Sequence, residues 1–196
     1  MSIYKKISPI CSLVVIAASC FYLGTLFDQW PYHYTTLWNY PTEAELADTI
    51  KHYVSQLETP NYIQYTYWGI FAVAVIAQVI KSAQPPPDLV YVEYGSLGAL
   101  VLSAAVYVSN VRFGALSAQA QVWGDFTPLV NMQVVCASET IIVFLIFGLA
   151  LIQASMFYAS YSEDRLHAEF YKREMSEKLA KLEKKERELK KKGKAE

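Results

Sequence analysis

The chain has 196 residues, of which 54% are hydrophobic, 14% aromatic and only 18% charged, with a formal net charge of -1. Residues 159–196 hold 12 of the 17 Lys and Arg and nine of the 18 Asp and Glu, leaving five bases and nine acids for the first 158 residues. This excludes a soluble domain with an ordinary charged shell, a disordered chain and a nucleic-acid binder, and leaves a polytopic membrane protein with a hydrophilic tail.

Four nearly charge-free stretches are long enough to cross a bilayer, at about 7–27, 60–80, 90–111 and 133–157. Each must be helical, because lipid offers the backbone no hydrogen-bond partner. The first, Ile7 to Phe27, has 21 residues, and a helix of that length is about 31 Å long, close to the hydrocarbon thickness. Ala17-Ala18-Ser19 behind Lys5 and Lys6 resembles a signal-peptide cleavage site. The apolar run continues through Phe21, Tyr22 and Leu23, long for a signal segment, which favours an uncleaved anchor. The expected architecture is an all-α membrane protein: a four-span domain over 1–158, lumenal loops at 28–59 and 112–131, and a charged cytosolic tail at 159–196.

Basic residues set the orientation. Lys5, Lys6, Lys81 and the twelve bases of the tail fall on one side, and only Lys51 and Arg112 on the other. Both termini are therefore expected in the cytosol. Trp30, Tyr32, Tyr34, Tyr62, Tyr65, Trp68, Tyr91, Tyr94, Tyr158 and Tyr161 stand where interfacial anchors are needed.

In the first loop, Thr42-Glu43-Ala44-Glu45 has the form of a capping box, and Leu46, Ile50, Tyr53, Val54 and Leu57 follow at helical spacing. The pattern predicts a short lumenal amphipathic helix over about Glu43 to Leu57. It either shields the bundle or touches a partner. Pro85, Pro86 and Pro87 end the second span and make a stiff hairpin turn. Trp123-Gly124-Asp125 reads as a turn with an interfacial Trp.

Little points to chemistry. His33, His52 and His167 are scattered, and no H-E-x-x-H, C-x-x-C or P-loop motif occurs. No ligand spacing supports a metal site around His33 and His52. Cys11, Cys20 and Cys136 fall in the spans and read as small buried residues. No catalysis and no cofactor are expected. Glu93, in the first turn of span three, meets the positive end of a helix dipole and can reach headgroup water. Glu139 lies deeper in span four, where a charge costs on the order of 2.5–3.5 kcal/mol. It sits at the interface, bonds the other spans, or engages a polar group on another membrane protein. Gly95, Ala99 and Ser103 form a small-residue stripe for close helix approach, within this chain or to a client's helix.

The tail pairs acid with base at i, i+4: Glu169/Arg173, Glu174/Lys178, Glu177/Lys181, Glu183/Arg187, Glu186/Lys190 and Glu188/Lys192. It reads as a solvated helix. The ending Lys192-Gly193-Lys194-Ala195-Glu196 has the form of a dilysine retrieval signal, with Lys192 and Lys194 as the read residues.

Trp30-Pro31-Tyr32-His33-Tyr34, Glu58-Thr59-Pro60, Glu93-Tyr94-Gly95-Ser96-Leu97-Gly98, Trp123-Gly124-Asp125 and Ala137-Ser138-Glu139-Thr140-Ile141-Ile142 occur in that order over residues 8–158. In these blocks the sequence resembles the fungal endoplasmic-reticulum membrane chaperones, or packaging chaperones, of amino-acid permeases. The resemblance implies four spans, a cytosolic tail, prevention of permease aggregation, and help in packaging permeases into coated exit vesicles. Its implied partners are amino-acid permeases and, through the tail, vesicle coat components. Ser12, Thr66, Gln78, Ser103, Ser138 and Thr140 are candidates for shielding polar groups of a client. One rival reading is a structural, scaffolding four-span protein with an adaptor tail, and a second is a small transporter or membrane enzyme using Glu139.

Overall fold

The computed structural model describes residues 3–83, 85 and 87–192, with side chains within 7–181. The helices are α1 (Ile3–Phe27), α2 (Trp30–His33), α3 (Glu43–Leu57), α4 (Asn61–Ala83), α5 (Val90–Val106), α6 (Phe113–Ala120) and α7 (Pro128–Lys192). π-helical turns occupy Tyr34–Trp38 and Tyr107–Arg112, and a 3-10 turn Pro87–Leu89. No strand occurs among the described residues. Four helical stretches, beginning at Ile7, Asn61, Pro87 and Pro128, are long and apolar enough to cross a membrane. The four-span, all-α expectation therefore holds.

Contacts divide the chain into two units, Met1–Ser155 and Met156–Glu196. The second is helical with mostly exposed side chains. Glu174 and Lys178 pair there at 2.7 Å, both well exposed, and such surface pairs contribute little. The first unit contains the packed core.

Inside that unit the helices bury repeating edges. On α7, Met132, Val135, Glu139, Ile142, Ile146, Leu149 and Gln153 alternate three and four residues apart, and each is buried. That spacing is a heptad seam, which keeps one edge of a helix against its neighbours. Glu93, Ser96, Leu100 and Ser103 make the same seam on α5. Lipid-type side chains such as Phe144, Phe147 and Val101 face outward. A membrane helix needs no polar outer face, so the seam is told from the lipid side by the polar residues set among its apolar ones, Glu139 and Gln153 on α7 and Glu93, Ser96 and Ser103 on α5.

α3 has the expected bounds and the expected cap. The Thr42 side chain accepts from the Glu45 backbone N–H, and the Glu45 carboxylate accepts from the Thr42 N–H at 2.7 Å. Its buried edge carries Thr49 and Tyr53.

The third span runs on past Val111 to Ala120 through the π turn. Arg112 is exposed and does not interrupt it. Beyond the turn, Gly114, Ala115 and Ala118 bring α6 against α7. A Cβ on Gly114 would collide with Val135 Cγ2. α6 ends with Gln121 in the left-handed region at φ 56°. There Gln121 N–H donates to Ala118 O and Val122 N–H to Ser117 O, the bonding of a Schellman cap. In the next connection Gly124 has φ +61°, a conformation that glycine adopts without strain.

Candidate functional site

Two polar networks lie buried in the first unit, at opposite ends of the α7 seam. The first is built on Glu139. His33 Nε2 lies 2.7 Å from Glu139 Oε2, and the Tyr53 hydroxyl donates to the same oxygen at 2.6 Å. His33, Tyr53 and Glu139 are at most 1% exposed. With its amide nitrogen turned toward the carboxylate, Gln29 donates to Glu139 Oε2 at 2.5 Å and Oε1 at 2.8 Å, and its oxygen accepts from Gln56 at 3.1 Å. His33 Nδ1 has no hydrogen-bond partner among the described residues.

Local structure explains the convergence. Pro31 starts α2, where its missing N–H costs nothing. The short helix then turns His33 inward. Around it Trp30 packs on Trp38 with ring centroids 5.8 Å apart. The α3 cap aims Tyr53 at the same carboxylate. Burial and the adjacent Glu139 carboxylate push the Tyr53 phenol well above its usual range, so it remains a donor. Nearby, His52 stacks on Tyr32 at 4.0 Å. Burial holds His52 below its ordinary value.

The second network is built on Lys81 and Glu93, facing at 3.1 Å and at most 1% exposed. Lys81 Nζ donates to Ser12 Oγ at 2.8 Å and to Gln153 Oε1 at 2.5 Å. Gln78 Nε2 donates to Glu93 Oε2 at 2.8 Å, and Gln153 Nε2 donates to Ser96 Oγ at 3.1 Å. Side chains from α1, α4, α5 and α7 thus meet at one point. This corrects the reading that let Glu93 reach headgroup water, and it buries Lys81, which was counted with the bases of the second connection. The hairpin sets the two at one depth, where burying opposite charges together is far less costly than burying either alone.

The remaining singled-out residues are dispersed. Gly95 faces outward with open space where a Cβ would stand, while Ser103 is buried and donates to Ala99 O at 2.8 Å. Ser103 and Glu139 line one cavity, and Gly95 and Ala99 do not. Tyr34, Tyr94, Gly124 and Asp125 are exposed, whereas Leu97 and Trp123 are half-buried. Of the shielding candidates, Ser12 and Gln78 join the second network, and Ser138 accepts from Asn110 at 2.9 Å. Thr66 and Thr140 bond carbonyls of their own helices. Among the described residues no three His, Cys, Asp or Glu side chains form a metal-ligand cluster. The Lys192 side chain and all of Lys194 lie outside the described residues.

In both networks donors and carboxylates bind one another across helices. The second ties four spans together, and the first ties α2 and α3 to α7. Together they define a polytopic helical membrane protein whose spans are fastened by buried polar side chains. The model of the SHR3 chaperone family, described as ER membrane protein SH3, matches residues 6–192, and the chain belongs to that family. It is accordingly a multi-pass endoplasmic-reticulum membrane chaperone, and its clients are membrane proteins. No curated protein and no solved structure matches the chain.

Proposed function

We propose that the protein shields transmembrane segments of newly made amino-acid permeases, prevents their aggregation and assists their packaging into exit vesicles. A permease inserted piecemeal exposes polar groups and close-packing faces before its own helices can cover them. The observation that carries the reading is membership of the chaperone family over nearly the whole chain. It is supported by glycines on outer helix faces: Gly69, Gly95, Gly98 and Gly148 have open space around them. Another helix can approach closely there without disturbing the internal networks. Release needs no nucleotide, because the client's own packing competes for the same faces, and the chaperone acts without catalysis. The excess of Lys and Arg supports an orientation with both termini in the cytosol. The tail then meets coat components, and Lys192 and Lys194 serve as the retrieval signal.

Pulse-labelled crosslinking in mild detergent tests this. Young permeases should co-purify and mature ones should not. A stable stoichiometric partner instead would favour the scaffolding reading. Normal surface delivery of every amino-acid permease after deletion of the gene would reject the proposal.

A further inference from the structure

The first unit contains a partly open cavity of about 790 Å³, with walls drawn from α1, α3, α4, α5, the π turn, α6 and α7. That volume lies in the range of about 300–1,000 Å³ common for small-ligand pockets. The walls are graded. At the α3 end stand Asp28, His52, Tyr107, Arg112 and the edge of the Glu139 network. Toward the middle of the bundle they become Phe71, Ala74, Leu100 and Ile146. Leu100 to Arg112 is twelve residues along a helical run, about 18 Å.

The polar end carries both signs of charge. The Arg112 and Asp28 side chains, both exposed, make no hydrogen bond or ion pair with one another or with another described side chain. Water alone would leave the apolar end poorly filled. A hydrocarbon alone would engage neither of the two exposed charges.

We propose that this cavity binds one zwitterionic phospholipid. Its phosphate pairs with Arg112. Its ammonium group lies against Asp28 and the Tyr107 ring, where carboxylate and aromatic face both favour a cation. One acyl chain runs along Phe71, Ala74 and Leu100. The open side lets the second chain remain in the bilayer.

The test uses the full chain, purified in mild detergent, stripped of lipid and titrated with phosphatidylcholine under native mass spectrometry. One lipid per chain should survive detergent release. Arg112→Gln, at an exposed position, should lower occupancy at least fivefold, and Arg112→Lys should keep most of it. Ala74→Phe, which fills the apolar end, should also lower occupancy at least fivefold. Phosphatidylglycerol, which has no ammonium, should bind at least fivefold more weakly. Equal retention by wild type and Arg112→Gln would overturn the proposal, as would equal binding of the two lipids. So would a photo-crosslinker at Leu100 that captures polypeptide rather than lipid.

Discussion

Glu139 and Gln153 lie on the same buried edge of α7, two heptads apart, or about 21 Å along the helix axis. Each is the hub of a separate polar network, and apolar Ile142, Ile146 and Leu149 fill the seam between them. Two polar hubs on one seam specify register, because sliding the helix by a turn would strand both sets of partners in hydrocarbon.

Gln153 therefore contributes more than packing. Gln153→Leu should lower stability by about 1–3 kcal/mol, since it removes a charge-assisted bond from Lys81 and one to Ser96. Unfolding in mixed micelles measures it. A neutral result would mean that Lys81 finds other partners without cost.

Lys81 and Glu93 should be strongly coupled. Lys81→Met or Glu93→Leu alone leaves a buried charge without its counter-ion, at a cost of about 3–5 kcal/mol. The double variant should recover most of that loss. Additive losses in the double-mutant cycle would show that the 3.1 Å pair is not an energetic unit.

Tyr53 holds α3 to the bundle. Tyr53→Phe deletes the 2.6 Å bond to Glu139 and should cost about 1–3 kcal/mol. The loss should show first as faster amide exchange across Glu43–Leu57, with the spans still protected. Uniform loss of protection would mean that α3 and the spans unfold together.

Acid should loosen α3 in two stages. Burial lowers the His52 pKa from its ordinary 6.5, so the unfolded state takes up the proton first. Its stabilisation is complete above pH 6.5 and falls as pH drops toward the lower folded value. The capping bonds from the Thr42 backbone and side chain lower the Glu45 pKa from 4.5. That contribution is complete above pH 4.5 and is lost as pH falls through the folded value. The protection of α3 amides relative to their intrinsic exchange at each pH should fall below pH 6.5 and again below 4.5. His52→Gln should remove the first fall and leave the second.

Gly114 is a packing requirement. Gly114→Ala places a methyl group against Val135, which is stiff at χ1 in a helix. The expected loss is about 1–3 kcal/mol. Val135→Ala in the same chain should restore part of it. Absence of rescue would mean that the close approach of α6 is held elsewhere.

The local grammar of the chain was readable wherever one segment carried its own signal. Thr42 and Glu45 announced α3, and the hydrophobic runs announced the spans. Lys81 and Glu93 were harder, because each is a plausible interfacial charge when taken singly. Their pairing depends on hairpin register, which no single segment contains. The available hints were their opposed charges flanking a short proline turn and the strict heptad from Met132 to Gln153. His33 was obscured in the same way. It stands in a connection expected at the surface, and only the short α2 turn delivers it to Glu139. Arg112 suggested the end of a span, yet it stands at the exposed polar end of the cavity while the backbone continues helical through it.

The closure of both polar clusters has a consequence for how such a helper waits between tasks. Among the described residues the buried polar side chains are engaged within the fold, with Nδ1 of His33 as the exception. An idle copy consequently offers few adhesive polar groups to its neighbours.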